Sequence, residues 1–438
     1  MLGLTNGRKW VYMKSITGWF RRTHKVVGSF QLLFLFAVPF LSIGGSPAAL
    51  IDWPGRRVFI LGSVYTVADS LLLMLMLLSA AFGMFLFTAL YGRLFCGYAC
   101  PQTVFLHDLV HPIERFFEGD RGPRMRRDER GSLAERLPRK IGKWIAFALV
   151  SWLVSAAFMS WFTGPGIWWG DASHAAYTLT AVFAGGWFLD FAWFREQACN
   201  YLCPYARFQG ALCDDESLVI SYDVPRGEPR GPKAGKERGG CVDCNKCVVV
   251  CPQGIDIRDG FQLECIACGL CVDACTDVMG KLGHPTLVRY TSAAEEKGLT
   301  RRLIRPRSIV YTTILSVIAL IFTGIVWNHH DFTVNVARNA GDPYVQDPDG
   351  MIRNTYLLKV VNLDGHAARD FVVRVDGLPN ATVMVPNIHL EPLGSSTAPL
   401  ILRVAPGSVG PNTPFTVNVV DGDNTVTRKL NFAAPGPS

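Results

Sequence analysis

Apolar residues in this chain gather in long unbroken runs, and five of them are long enough to cross a hydrocarbon core, which takes about 20 residues at 1.5 Å rise each. The runs are approximately Val26–Gly44, Ser70–Gly92, Trp144–Phe162, Ala175–Phe194 and Ser308–Trp327. Four hold no charged residue, and the fourth holds Asp190 near one end. A cleaved signal peptide is the alternative for the first run, since Ser46-Pro47-Ala48-Ala49 follows it. Its long basic leader and extended apolar length favour a span. Beyond Asp331 the pattern becomes short alternating segments: Phe332–Val336, Tyr356–Asn362, Phe371–Asp376, Ala381–Val385, Pro399–Val404, Phe415–Val420 and Thr425–Asn431. Asp-Gly turns punctuate them, which predicts an antiparallel sandwich of immunoglobulin type.

Charge orients the spans. The segment before the first run holds six Lys and Arg, the loop from Arg93 to Lys140 ten, and the loop from Arg195 to Arg307 sixteen. The first intervening loop holds only Arg56 and Arg57, and the third none. Positive loops stay cytoplasmic, so the N-terminus and both basic loops are expected inside and residues 328–438 outside. The net charge of +7 then reads as a topology signal, and nucleic-acid binding is not expected. Arg121, Arg124, Arg126, Arg127 and Arg130 are expected on a solvated face at the lipid headgroups. Asp190 lies about one turn from the cytoplasmic boundary, where snorkelling to the interface competes with a functional role.

The expected architecture is a multi-domain membrane protein with five transmembrane α-helices, a cytoplasmic bacterial-ferredoxin-like α+β domain for two [4Fe–4S] clusters, and a C-terminal immunoglobulin-like β-sandwich. Its divisions are a basic N-terminus (1–25), a four-helix membrane region (26–222) with a cytoplasmic loop (93–140), a linker (223–240), the ferredoxin domain (241–290), a connector (291–307), the fifth span (308–327) and a periplasmic domain (328–438). The linker is rich in Pro, Gly and charge and is expected to be mobile or a surface strap.

Thirteen cysteines, eight between Cys241 and Cys275 and none beyond, exclude a fully paired disulfide framework and favour metal chemistry in a reducing compartment. Cys241-x2-Cys244-x2-Cys247-x3-Cys251-Pro252 is followed by Cys265-x2-Cys268-x2-Cys271-x3-Cys275. Each half is the bacterial ferredoxin run, whose fourth cysteine crosses to the other cluster. One [4Fe–4S] cluster is therefore expected on Cys241, Cys244, Cys247 and Cys275, and the other on Cys251, Cys265, Cys268 and Cys271. Two zinc sites are the alternative. The duplicated spacing and Pro252 favour clusters, although Thr276 rather than Pro follows Cys275.

Two further pairs, Cys96-x3-Cys100-Pro101 and Cys199-x3-Cys203-Pro204, end the second and fourth spans at the same face. Four-residue spacing on a helix puts both thiols on one side, and thiolates select Cu(I) among soft ions. These four are the candidate copper and catalytic residues, with buried small residues as the alternative. Cys213 stands alone and reads as structural. His107 and His111 have metal-ligand spacing, but Pro112 disfavours helical geometry at His111.

The strings Cys96-Gly-Tyr-Ala-Cys-Pro-Gln-Thr-Val104, Ile113-Glu-Arg115, Glu118-Gly-Asp-Arg121, Arg195-Glu-Gln-Ala-Cys199, Cys203-Pro-Tyr-Ala-Arg-Phe-Gln209, Arg226-Gly-Glu-Pro-Arg-Gly231, Gly254-Ile-Asp-Ile-Arg-Asp-Gly260 and Asn354-x-Tyr356 resemble the CcoG/FixG/RdxA cytochrome c oxidase accessory proteins. The resemblance implies a bacterial inner-membrane protein that reduces Cu(II) to Cu(I) for assembly of cbb3-type oxidase. Implied partners are the lipid bilayer, copper chaperones or transporters, oxidase assembly factors, and a cytoplasmic or quinol electron donor, with a homodimer left open. The rival readings are an electron-transfer subunit similar to the NapH/NosR type, without copper chemistry of its own, and a scaffold with structural clusters.

Overall fold

The computed structural model describes residues 10–66, 70–231, 239–327, 332–364, 367–422 and 424–435. They fold into two compact units, one built from the segments up to Pro39 and Leu75–Leu320, the other from Phe40–Met74 and Ile321–Ser438.

Among the described residues four helices are long and apolar enough to cross a membrane: Trp19–Phe40, Ser70–Tyr91, Leu133–Thr163 and Pro306–Ile325. The first differs from its expected limits. It starts at Trp19, incorporating Arg21, Arg22, His24 and Lys25, and gives way to a strand at Ser42–Ile43. Pro39 explains the early end, since it cannot donate a helical hydrogen bond. The fourth expected span is regular α-helix only over His174–Leu189, 16 residues, and continues as a π-helix over Asp190–Phe194. The first intervening loop carries a three-stranded sheet, Ala49–Asp52, Arg57–Ile60 and Ser63–Thr66.

The ferredoxin region begins earlier than Cys241. Val219–Tyr222 pairs antiparallel with Val288–Thr291, and Ile220, Tyr222, Leu287 and Val288 pack with Ile257, Val272 and Met279 into its core. The segment Asp223–Gly240 is partly described. Asp223 caps a helical turn at Val224–Gly227, and Gly240 N donates to Arg226 O at 2.7 Å, strapping this end of the linker to the domain. Residues 232–238 lie outside the described set.

The seven expected outer strands are present, with two short additions at Val345–Gln346 and Ile388–Leu390. One sheet runs Thr382–Met384, Ser395–Val404, Ile352–Asn362, Phe332–Arg338; the other runs Ile388–Leu390, Arg369–Asp376, Asn412–Asp421, Asn424–Ala433. Along Ile352–Asn362 every second residue is buried, as a half-buried strand requires. Two of those inward residues are polar and hydrogen-bonded to backbone. Asn354 Nδ2 donates to Ala433 O at 2.8 Å while Ala433 N donates back to Asn354 Oδ1 at 3.1 Å, and Asn362 Nδ2 reaches Ala367 O at 2.8 Å.

Candidate functional site

The structure brings the eight ferredoxin cysteines into two groups. Cys241, Cys244, Cys247 and Cys275 line one small cavity with Tyr222, Met279 and Leu287. Cys251, Cys265, Cys268 and Cys271 line a second with Ile257 and Ile266, where Cys247 also borders. The ligand loops turn through left-handed backbone at Asp243, Asn245, Ala267 and Gly269. Gly269 is required twice over: its φ is +77°, and a Cβ there would lie 2.7 Å from the Phe20 ring. Burial pushes the Cys247 thiol up to about 12 and the Cys265 thiol up to about 11. A metal binding at Cys247 and Cys265 therefore displaces protons. Four sulfurs on each cavity, with mainly apolar walls broken by Lys246 and Arg258 on the first and Gln253 on the second, fit the donor set of a [4Fe–4S] cluster.

The four membrane-edge cysteines also meet. Cys96, Cys100, Cys199 and Cys203 line one cavity of about 250 Å³ with Arg93, Gln102, Thr103, Tyr205 and Ile266. Cys213 is not among its walls. The route to this arrangement differs from one continuous helical face. Cys96 sits in the short helix Leu94–Tyr98, but Cys100 is extended (φ −69°, ψ 125°) and precedes the helix Pro101–Val104. Cys203 repeats this at φ −77° and ψ 110° before Pro204–Leu212. The following proline excludes Cys100 and Cys203 from helical backbone and then starts a new helix. Each CxxxCP pair thus makes a corner, and the two corners face each other. Burial pushes the Cys96 thiol up to about 12, with the neighbouring Cys100 adding to it. Among the described residues no three His, Cys, Asp or Glu donors surround a single-ion position.

Polar bonds cross between the two motifs. Cys96 Sγ donates to Gln209 Oε1 at 3.3 Å, and Gln102 Nε2 donates to Asp190 Oδ2 at 2.7 Å and to Arg195 O at 3.3 Å. Asp190 thereby gains a structural partner rather than snorkelling alone. Arg93, at the end of the second long helix, donates to Leu263 O of the ferredoxin region and to Ala206 O. A Cβ at Gly97 would lie 2.6 Å from Ile266 O and 3.0 Å from the Cys268 backbone. The thiol cavity and the second ferredoxin cavity are therefore in direct backbone contact and share Ile266 as a wall.

A buried ion network holds the corners, and sequence reasoning missed it. Glu114, 2% exposed, receives bidentate bonds from Arg195 (2.9 and 2.9 Å) and from Arg124 (2.8 and 2.7 Å). Arg124 Nε lies 2.9 Å from Glu118, which also takes Lys143 at 2.8 Å. The Arg195 guanidinium stands 4.7 Å over the Trp10 ring. Burial alone would raise the Glu114 carboxyl, but Arg195, His111 and Arg124 outweigh it and hold it well below the usual carboxylate range. Arg124 is accordingly not a solvated member of its arginine run. Charges recurring inside the motif strings Ile113-Glu-Arg115, Glu118-Gly-Asp-Arg121 and Arg195-Glu-Gln were the available signal. His107 and His111 lie on one helical path after all, a π-helix over Phe105–Val110 leading into His111–Glu118. Pro112 supplies no donor to the preceding turn, and the His107 carbonyl there accepts from Arg21 Nη2 at 3.0 Å instead. His111 is spent on Arg195, at 3.3 Å, and on the neighbouring glutamates.

With this geometry in place, known proteins supply the context. A family described as a 4Fe-4S dicluster domain matches residues 194–293, a 4Fe-4S binding domain matches 73–117, and the IG-like fold at the C-terminus of FixG matches 322–435. Protein RdxA of Cereibacter sphaeroides is 36% identical over 389 residues, 84% of this chain and 82% of the relative. The chain belongs to the RdxA/FixG family. Nitrogen fixation protein FixG of Rhizobium meliloti is 32% identical over 427 residues, 86% of this chain and 81% of its own. The ferredoxin-type protein NapH of Haemophilus influenzae is 23% identical over 227 residues, 47% of this chain and 68% of its own. A crystal structure of a FixG-related protein from Vibrio parahaemolyticus aligns with 24% of this chain and 97% of its own, at 21% identity and a TM-score of 0.22. The protein is thus an iron–sulfur electron-transfer protein of this family, with apolar helices of membrane type and an Ig-like C-terminal domain.

Proposed function

We propose that this RdxA/FixG-family protein is a cupric reductase of the bacterial inner membrane, producing Cu(I) for assembly of cbb3-type cytochrome c oxidase. The observation that carries the reading is the convergence of Cys96, Cys100, Cys199 and Cys203 on one cavity in backbone contact with the second ferredoxin cavity. Cys241, Cys244, Cys247 and Cys275 would hold one [4Fe–4S] cluster, and Cys251, Cys265, Cys268 and Cys271 the other. Bound there, the clusters supply single electrons. The chain's own groups do the rest. The four membrane-edge thiols take copper as substrate and favour its reduced, softer form. Burial raises the Cys96, Cys100 and Cys199 thiols, so copper uptake at these three releases protons. The cavity wall of Ile266 and Ala206 limits water around the metal.

The topology we propose has five spans, with the N-terminus and ferredoxin region cytoplasmic and the Ig-like domain periplasmic. Support comes from the sequence charge asymmetry and from the second compact unit, which unites the first, Lys-free loop with the C-terminal domain. Arg57 Nη1 of that loop donates to Leu393 O at 3.3 Å.

The test is anaerobic. Reduced, cluster-loaded protein in detergent is mixed with Cu(II) and a Cu(I)-specific chelator. Stoichiometric Cu(I) is expected from wild type and none from Cys241→Ala, Cys244→Ala or Cys247→Ala. Equal Cu(I) from both would remove the reductase assignment, and reoxidation by a quinone analogue alone would favour the NapH-like reading.

A further inference from the structure

A further cavity of the first unit has no cysteine among its lining residues. About 500 Å³ in volume, it is lined by Lys14, Arg21, Arg22, Lys25, Arg115 and Lys246, with Asp277 as its single carboxylate. Asp277 is already engaged, 3.1 Å from Lys246 Nζ and 2.8 Å from Lys281 Nζ. No described carboxylate pairs with Lys14, Arg22, Lys25 or Arg115. Arg21 marks this as a built site rather than a basic surface. It is 8% exposed, its Nη2 is held by His107 O at 3.0 Å and Asp108 Oδ1 at 3.1 Å, and its buried Nη1 has no partner. A buried guanidinium N–H left unpaired is costly, and the Arg21 charge in the cavity wall goes only partly answered by Asp108.

We propose that this cavity binds the phosphate of an anionic phospholipid headgroup. Two observations choose a lipid over a soluble phosphate compound. First, one wall is the opening turns of helix Trp19–Ala37, which is apolar and long enough to cross a bilayer. Its outward residues Val26, Phe30 and Leu33 are all at least 65% exposed. Arg22 precedes Val26 by about one turn, or roughly 6 Å of rise, and Lys25 directly adjoins it, which places the cations at headgroup depth beside an acyl-facing surface. Basic pockets beside membrane helices bind anionic headgroups through this combination. Second, the lining contains no aromatic side chain, so a flavin, nicotinamide or nucleobase finds no stacking platform. The site also reaches the redox module. Lys246 and Val250 flank cluster-ligand positions, and Lys14 N donates to Val249 O at 2.8 Å, so a bound headgroup would tie the N-terminal arm, the first helix and the ferredoxin region together. The inference rests on the helix crossing a bilayer and is independent of copper chemistry.

The experiment uses the full cluster-loaded chain in nanodiscs of phosphatidylcholine with a quarter of phosphatidylglycerol or cardiolipin. Lipid retained after detergent release is counted by native mass spectrometry. Wild type should retain the anionic lipid at least tenfold over phosphatidylcholine. Arg22→Gln/Lys25→Gln, changing only exposed side chains, should lose that preference with cluster absorbance unchanged; Arg21→Gln should lose it as well, and the double variant stands as the test if Arg21→Gln does not fold. Equal retention of both lipids, or a double variant indistinguishable from wild type, overturns the proposal. So does displacement of the anionic lipid by millimolar inorganic phosphate or flavin mononucleotide, which would assign the cavity to a soluble ligand. Failure of the chain to enter nanodiscs would instead defeat the membrane reading beneath it.

Discussion

Replacing Arg195 by Met tests whether the buried ion network is what holds the two CxxxCP corners together. Arg195 is 1% exposed and donates both Nη atoms to Glu114. The side chain of Met fills much of the volume but leaves Glu114 to Arg124 at short range, with His111 Nδ1 3.6 Å and Lys143 3.8 Å away. Removing one partner of a buried charge pair costs about 3–5 kcal/mol. The Glu114 helix connects through Pro101–Val104 to Cys100, and Arg195 lies four residues before Cys199, so the cost falls on opening of the thiol cavity. At 1.4 kcal/mol per decade, local opening should become roughly 10²- to 10³·⁵-fold more frequent. The assay is N-ethylmaleimide labelling of metal-free protein in detergent under native conditions, with peptide mass spectrometry following Cys100 and Cys199 separately from Cys213. Glu114→Gln alone should also accelerate labelling, and the double variant should fall well short of the sum because both remove one interaction. Labelling of Arg195→Met within threefold of wild type, with Glu114→Gln additive to it, would refute the network as the clamp.

Gly97→Ala places a Cβ against the backbone of Ile266 and Cys268; overpacking of this kind costs about 1–3 kcal/mol, and iron content measured after anaerobic reconstitution should fall, first at the second ferredoxin group. Acid should destabilise the first unit before the Ig-like domain. The Glu114 carboxyl is depressed in the fold, so its stabilising contribution is complete above the ordinary carboxylate range near about 4.3 and is lost progressively as pH falls below it. Tryptophan fluorescence against pH should therefore show an acid-sensitive transition that weakens in Glu114→Gln. In the Ig-like domain, Asn354→Leu strands the Ala433 N–H and C=O, a loss of about 2–6 kcal/mol at roughly 1–3 per unsatisfied group, visible as faster proteolysis of the C-terminal domain in the full chain.

Much of this was legible in one dimension, for identifiable reasons. Uninterrupted apolar runs and period-two alternation are local signals, so the long helices and seven sandwich strands appear near their expected places. Cysteine spacing is local too, and it grouped the ferredoxin thiols as the two cavities do. What escaped was contact between distant segments. Val219–Tyr222 declares itself as ferredoxin only by pairing with Val288–Thr291. Arg124 looked like one more solvated arginine until Glu114 and Glu118 were beside it. Four-residue spacing on one helical face was expected to bring the thiols together; they share a cavity, but by another backbone route, because Pro101 and Pro204 hold Cys100 and Cys203 extended.

The central claim, that electrons reach copper at the four-thiol cavity, is tested most directly by stopped flow. Anaerobically reduced protein is mixed with one equivalent of Cu(II) while cluster absorbance and a Cu(I) chelate are followed together. Wild type should reoxidise in step with Cu(I) formation, one Cu(I) per electron, and the quadruple Cys96→Ser/Cys100→Ser/Cys199→Ser/Cys203→Ser variant, its clusters intact by absorbance, should slow at least a hundredfold. Equal rates in the two proteins would contradict the account.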